Sequence, residues 1–469
     1  MPRVLIAVFD GLQPSQICNE STPVINELAK NGVRFQHNHA VFPTVTRSNA
    51  ASLVTGLTPG KHGLTANKSV FPEYSCTEVV DALVPKLPEI NKLTGGRLLL
   101  APTVGELISQ QDLKWISVVG GTSGNAYIQH PNADKFGDVV IHPEFTNPSH
   151  HHETIISRFG NWPAKESPAA ELLIRTADVT IKYALDELDP DVLLVWFPEP
   201  DTSQHAFGID SAQAKDMYSL ADQQLGRIIT SIDSGDGPPD VIVVSDHGYS
   251  TIDSVVDIES EFAKAGFHTD TGTDRIVVAE NGGSLLMYIP SGDRALAGRL
   301  VEWLISRDWV GAVAAESTNP NSGKYATIAD IGLNGQRSPH VVAVLKSWDT
   351  LLPAPLARTG IATGGLIGAG SHGGGSESEL HNTLIASGPS FRSRFESRKP
   401  SGNIDLTPTI LHLLGLPVPD HLEGRVLSEA LIDPPSQSEK DTVVRHRTKI
   451  VNAVKKVRTG EVEYLCEFG

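Results

Sequence analysis

The sequence predicts an α/β fold built around a mostly parallel sheet, and three observations predict it. The runs "RVLIAVFD", "WISVVGG", "DVLLVWFPEPD" and "DVIVVSDHG" are apolar almost throughout. Strands that alternate polar and apolar residues bury one face; continuous apolar runs of this length fit strands buried on both faces. Segments with helical periodicity lie between them, such as "TPVINELAKNG" and "AAELLIRTADVTIKYALDEL", and strand–helix alternation is the pattern of a parallel sheet covered by helices. Third, three of the runs end in an aspartate: Asp10, Asp201 and Asp246. Open α/β sheets bind ligands beyond the carboxyl ends of their strands, so these carboxylates are expected on one edge. Any one of them alone reads as a helix cap or turn residue.

At 469 residues, 40% hydrophobic and 20% charged, the chain is long enough for one large core carrying an insertion. Its formal net charge of -17 excludes a general electrostatic footprint for polymeric nucleic acid. Cys18, Cys76 and Cys466 give an odd count without C-x-x-C spacing, which suggests neither a disulfide framework nor a thiolate zinc site. The opening "MPRVLIAVFDG" has too short an apolar run for a secretion signal and reads as the first strand. No run reaches membrane-spanning length. The expected location is therefore cytoplasmic, with no membrane partner.

From about Asp253 to Gly360 the pattern changes. "IVVAENGGSLLMYIPSGDRALAGRLVEWLISRDWVGAVAAE" reads as strand, amphipathic helix and strand among Gly-, Ser- and Asn-rich loops. It is expected to form a smaller inserted α+β subdomain, 253–360, that covers the core and contributes only substrate fit. The main pattern returns in "GGLIGAGSHGGGSESELHNTLIASGPSF" and "NIDLTPTILHLLGLPVPDHLEGRVL". The last segment, "TVVRHRTKIVNAVKKVRTGEVEYL", reads as a locally basic packing helix with a strand-like end.

The chemistry-bearing residues fall at the strand ends. Asp201 and His205 in "EPDTSQH" are four apart and share one face if a helix begins there. Asp246 and His247 are adjacent in "VVSDHG", where Gly248 permits a turn. His372 lies in the glycine-rich "GSHGGG". A satisfied core histidine is the ordinary explanation of each alone. Together with Asp10 they make three carboxylates and three imidazoles, a donor set suited to two Zn²⁺ ions or similar borderline metals. The stretch "AVFPTVTRSNAASLVTGLTPGKHGLTANK" adds a hydroxyl-rich turn before a small-residue helix, with Thr44 and Thr46 as candidate nucleophiles.

The order "VFDG", "FPTVTRSNAASLVTGLTPGKHGLTAN", "EPDTSQH", "SDHG", "GSHGG" resembles the alkaline phosphatase superfamily, most closely its type I phosphodiesterase and nucleotide pyrophosphatase group, with phosphonoacetate hydrolase a near relative. The resemblance spans nearly the whole expected core and implies an alkaline-phosphatase-like three-layer sandwich. It implies one metal held by Asp201, His205 and His372, and a second by Asp10, Asp246 and His247. It makes Thr46, rather than Thr44, both the nucleophile and a ligand of the second metal. A divalent cation, Zn²⁺ or alternatively Mn²⁺, would activate the hydroxyl without a histidine base. Asn67 matches the asparagine that donates to a phosphate oxygen, and the helix after Thr46 supports phosphate charge at its N-terminus.

Arg47 departs from the nucleotide pyrophosphatases, which usually carry an aromatic residue there. It is expected either to pair with a second phosphate or carboxylate of the substrate or to be a solvated surface charge. Tyr127, in "TSGNAYIQH", is the alternative stacking face. "SHHHE", His150 to Glu153, is not expected to converge on a metal, and His62 and His381 carry no assigned role. The resulting expectation is a two-metal hydrolase of small phosphoric diesters or pyrophosphates acting through a phosphothreonine. A C–P bond hydrolase or phosphomonoesterase is the runner-up, and a silent binder of a phosphorylated ligand the non-enzymatic alternative. A sulfatase is excluded by the missing C/S-x-P-x-R context.

Overall fold

In the computed structural model, Val4–Phe9 lies at the centre of a nine-stranded sheet. The structure describes residues 3–232, 237–269, 272, 274–316, 325–435, 449–451 (backbone only) and 453–469. The strands run in the order Phe395–Ser397, Val33–Phe35, Leu384–Ser387, Asp240–Val244, Val4–Phe9, Val192–Phe197, Trp115–Val119, Val139–His142 and Phe145–Asn147. The five from Asp240–Val244 to Val139–His142 are mutually parallel. Leu384–Ser387 and Phe145–Asn147 pair antiparallel on either side of them.

Alternation along Val4–Phe9 explains the layers. Val4, Ile6 and Val8 enter one core with the helix Thr46–Thr55, through Ala50, Ala51, Leu53 and Val54. Leu5, Ala7 and Phe9 enter the other, against Tyr218, Ala221, Leu225 and Ile228 of the helix Ala212–Ile232. Successive strand side chains point to opposite faces, so a strand covered on both sides must be apolar at every position.

Asp222, on that last helix, accepts from the Val24 and Ile25 amides at 2.9 and 2.8 Å and so closes the N-terminus of the helix Pro23–Asn31. Removing the carboxylate leaves both donors short of a partner. Asp222→Ala is expected to lower stability by about 2 kcal/mol, read as a shifted urea midpoint at unchanged slope. An unmoved midpoint would show that water replaces the carboxylate.

Within 253–360 the strands Val277–Glu280, Ser284–Tyr288, Val341–Leu345, Val310–Ala315 and Ala326–Thr327 form a second sheet. The helices Ile258–Lys264 and Arg294–Ile305 pack on one face, through Phe262, Leu300 and Leu304. The opposite face meets the main body at Phe42 and Val45 and the C-terminal segment at Val454 and Phe468. The segment read as strand, helix, strand contains a hairpin before its helix: Glu280 and Ser284 are joined by Asn281-Gly282-Gly283, with Gly282 at φ 70°. Only glycine enters that conformation without strain.

The expected basic C-terminal helix is corrected where it is described. Lys449–Val451, Val454–Thr459 and Val462–Phe468 form an antiparallel sheet that turns at Gly460. Val454 and Val457 are three apart, which mimics a helical repeat, but the segment is a strand paired with Val462–Phe468, and the extra residue at the register shift is Cys466 on that partner strand. Residues 436–448 lie outside the described residues.

Candidate metal centre and nucleophile

The carboxyl ends of the parallel strands carry the site. Asp10 directly follows Val4–Phe9, and Asp246 and His247 follow Asp240–Val244. Asp201 opens the helix Asp201–Phe207 that leaves Val192–Phe197, with His205 one turn on; His205 Nε2 lies 3.4 Å from Asp201 Oδ1. His372 arrives on the glycine-rich loop, its Nε2 3.5 Å from the same oxygen. His247 Nε2 is 3.1 Å from Asp246 Oδ2 and 3.7 Å from Asp10 Oδ1.

Two groups of donor atoms converge: Asp10, Asp246 and His247, and Asp201, His247 and His372. The second differs from the expected Asp201, His205 and His372. The His247 ring stacks on His372 at 3.7 Å between centroids and stands between the groups, whereas His205 faces the open side with 43% of its side chain exposed.

Whether these residues fit metal ions is answered by their unused atoms. Asp10 Oδ1 and Asp246 Oδ2 are buried with no hydrogen-bond partner among the described residues, an expensive arrangement unless a cation sits between them. The other oxygens are held, Asp10 Oδ2 by Trp196 Nε1 at 3.0 Å and Asp246 Oδ1 by the Gly11 amide at 3.0 Å. Each imidazole ties Nδ1 to a main-chain carbonyl: His205 to Gly370 at 3.0 Å, His247 to Gly248 at 3.1 Å and His372 to Thr44 at 2.8 Å. That assigns the proton to Nδ1 and leaves Nε2 as the lone-pair donor, the arrangement of metal-ligating histidines.

Burial, and then the charge of Asp246, push Asp10 well above the usual carboxylate range. Burial pushes Asp246 up to about 7. Burial also acts to raise Asp201, but the nearby imidazoles of His205, His372 and His247 outweigh it and hold the group below its ordinary value. Burial depresses His247 to about 4 and His372 to about 3, so both are neutral imidazoles at neutral pH. The donor set fits divalent cations.

The two threonines separate at once. The Thr44 hydroxyl is engaged: it lies 2.8 Å from the Gly374 carbonyl and 3.0 Å from Glu379 Oε2, and accepts from the Gly373 amide at 2.9 Å. Thr46, the first residue of the helix Thr46–Thr55, has among the described residues only the 3.4 Å approach of its Oγ1 to His247 Nε2. Its hydroxyl sits beside the Asp10, Asp246 and His247 group, at a helix N-terminus whose first amides lack intrahelical partners.

A cavity of about 590 Å³ opens beside the centre, walled by Arg47, Asn67, Lys68 and Asp81 from the main body and by Val278, Glu280 and Asn281 from the inserted sheet. The insertion does more than cover. Asn281 bonds both main-chain groups of Lys68 at 2.9 Å, holding the segment that carries Asn67. Asn67 lines the cavity, and its Oδ1 accepts from the Arg47 amide at 2.9 Å, which leaves Nδ2 as its side-chain donor.

Arg47 lines the cavity but is not a solvated charge. It is 7% exposed, and its Nη1 donates to Asp81 Oδ1 at 2.6 Å and to the Asn67 carbonyl at 3.1 Å. Tyr127 does not line the cavity. Its ring packs in the core against Phe145, and its hydroxyl accepts from Asn91 at 3.2 Å; the helix Ser123–Gln129 turns this residue inward. The triple histidine begins the helix His150–Phe159, away from the centre, with His151 bonded to Tyr183.

Sequence reasoning missed Tyr249, Trp196 and Glu379. Tyr249 is buried, donates to Asp201 Oδ1 and meets His205, His247 and His372 edge-on at 5.2 to 5.6 Å. Its place two residues after "DH" was the available signal. Trp196 reads only as strand interior, and nothing in "GSESEL" marks Glu379.

The sequence model of "Type I phosphodiesterase / nucleotide pyrophosphatase" matches residues 4–345. The chain belongs to this family. The match contains every site residue expected from the sequence except His372, and Glu379 also lies beyond it. Among curated members, mouse ectonucleotide pyrophosphatase/phosphodiesterase family member 7 is 25% identical over 264 residues, 56% of this chain and 53% of that one, so the chain spans about half the length of that relative. Human family member 5 is 23% identical over 89% of this chain and 76% of its own. Among solved structures, an inactive variant of murine family member 5 in complex with AMP superposes with a TM-score of 0.62 at 18% identity, covering 90% of this chain and 97% of that one. This likeness shows the fold, a mixed α/β architecture around a large central sheet.

Proposed function

We propose that the protein hydrolyses small phosphoric diesters or pyrophosphates through a phosphothreonine at Thr46, at a centre of two divalent ions, Zn²⁺ first and Mn²⁺ second. The observation that carries this reading is the Thr46 hydroxyl, which among the described residues makes only a 3.4 Å approach to His247, at a helix N-terminus beside buried carboxylates whose Asp10 Oδ1 and Asp246 Oδ2 have no hydrogen-bond partner among those residues. Asp10, Asp246 and His247 would hold one ion, with Thr46 beside it. Asp201, His205 and His372 would hold the other, His205 closing its open side. When bound, the ions supply positive charge for the attacking and leaving oxygens.

The chain's own residues account for the rest. The Thr46–Thr55 helix N-terminus accommodates the phosphoryl charge, and Asn67 Nδ2 donates to a phosphoryl oxygen. Thr46 Oγ1 attacks phosphorus, the first alcohol or phosphate leaves, and water then cleaves the phosphothreonine to regenerate the hydroxyl. The described cavity lining includes Val45, Val79 and Val278 but no phenyl, phenol or indole ring, which favours a small second ester group over a stacked nucleobase. A cytoplasmic location belongs to the same proposal and rests on three unpaired cysteines. The test is a rate comparison of mono- and bis-p-nitrophenyl phosphate, a nucleoside triphosphate and phosphonoacetate. The diester should be fastest; phosphonoacetate alone turning over would overturn the diester assignment in favour of C–P cleavage.

The Arg47 geometry changes what its removal should do. Because the guanidinium staples Asp81 to the Asn67 segment, Arg47→Ala should lower kcat/KM roughly tenfold to a hundredfold for mono- and dianionic substrates alike, about 1.4 to 2.7 kcal/mol. A loss confined to substrates with a second anionic group would restore the anion-reading role.

A further inference from the structure

Glu379 is a carboxylate that the proposed reaction does not use. It is 5% exposed, in the short helix Glu377–Leu380 that follows the glycine-rich loop. No cation pairs with it in an ion pair among the described residues. Its oxygens instead gather hydrogen bonds from three separate segments. Oε2 lies 2.6 Å from the Gly374 amide and 3.0 Å from the Thr44 hydroxyl, and Oε1 accepts from Ser250 Oγ at 2.7 Å. Its main-chain carbonyl accepts from the Gly248 amide at 2.7 Å.

Those three segments carry the site. Thr44 is two residues before Thr46, and its main-chain carbonyl receives the His372 Nδ1 proton at 2.8 Å. Gly374 is two residues after His372, and Gly248 directly follows His247. The loop is folded tightly onto the carboxylate: a Cβ at Gly374 would lie 2.8 Å from Glu379 Oε2, and Gly373 is held at φ 96° with its amide on the Thr44 hydroxyl. A buried carboxylate is costly unless its lone pairs are filled. Packing alone would be served by an apolar side chain, so the value of a carboxylate here is the geometry it imposes on its donors.

We propose that Glu379 is a positioning residue for the metal centre: by holding Thr44 and the Gly373–Gly374 turn, it aims His372 Nε2 at Asp201. The inference rests on the reading of the site as a metal centre. Groups that orient a histidine ligand through its other nitrogen commonly change metal affinity by about 10- to 100-fold when removed.

The experiment titrates metal-stripped protein with Zn²⁺ against a chromophoric competing chelator, with thermal unfolding recorded on each variant. Wild type should show two sites. Glu379→Ala should weaken one of them about 10- to 100-fold and leave the other unchanged, with turnover recovering as free Zn²⁺ is raised. Glu379→Gln keeps the shape and can still accept from Gly374 while donating to Ser250, so it should bind both ions within about threefold of wild type. Thr44→Val removes only the hydroxyl link and should reproduce the single weakened site; it decides the matter if Glu379→Ala does not fold. Two wild-type affinities in folded Glu379→Ala, or in Thr44→Val, would overturn the inference, as would Glu379→Gln binding as weakly as Glu379→Ala. Wild-type protein that binds no Zn²⁺ would overturn the metal-centre reading itself.

Discussion

Thr46→Ala is expected to lower kcat/KM by a thousandfold or more, about 4 kcal/mol of transition-state stabilisation, while the protein stays folded and keeps most of its metal. The separation follows from the contacts. Among the described residues Thr46 Oγ1 makes only the 3.4 Å approach to His247, so its loss should change stability by less than about 1 kcal/mol. The core residues of the same helix, Ala50, Ala51, Leu53 and Val54, are untouched. Raising free Zn²⁺ should not restore this variant, because the attacking atom is gone. Thr44→Ala should behave differently, since the hydroxyl it removes touches Glu379, Gly373 and Gly374, and its defect should respond to added metal. Substantial residual turnover in Thr46→Ala, together with a Thr44→Ala variant that no metal concentration rescues, would assign the nucleophile to Thr44.

Removing the metal should abolish turnover and lower Tm. Asp10, Asp201 and Asp246 crowd together, and Asp10 Oδ1 and Asp246 Oδ2 have no hydrogen-bond partner among the described residues, so without cations the native state carries uncompensated polar groups. Each site filled at a hundred times its Kd adds about 2.7 kcal/mol to stability. Elemental analysis of gently purified protein should find two divalent ions per chain, falling to about one in His372→Ala and in Asp246→Ala. A maximum of one ion in wild type, or two that survive both substitutions, would remove the two-metal reading. A fully metallated protein inactive across the whole substrate panel would make it a binder of phosphorylated ligands instead.

The features legible in the sequence share a physical cause: their signal is local. A strand covered on both faces must be apolar at each position, so "RVLIAVFD" and "DVIVVSDHG" announce themselves. The spacing of Asp201 and His205 is a property of one helical turn, and the aspartates at the strand ends follow from a parallel sheet placing those ends on one edge. The hairpin within the insertion and the strands at the C-terminus were less legible. A three-residue N-G-G connection and a Val-Lys-Lys-Val repeat look alike in helical and extended readings until a partner strand settles them.

By itself, the sequence determined the fold class and the edge of the sheet that bears the chemistry, and named a donor set of which His205 stays outside the two converging groups. Tertiary structure alone decided how those groups are used. Thr44 and Thr46 carry the same hydroxyl, and Glu379, some 335 residues away, together with Gly373 and Gly374 occupies the first, while the second has a 3.4 Å approach to His247. Arg47 is drawn inward by Asp81, 34 residues on, and Tyr127 is turned into the core by the packing of its helix. His247, which the sequence assigns to one group, stands between two because His372 stacks on its ring. Each of these outcomes depends on a partner distant in the chain, and a side chain's hydrogen-bonding capacity is allotted by the atoms that reach it in three dimensions, not by its neighbours in sequence.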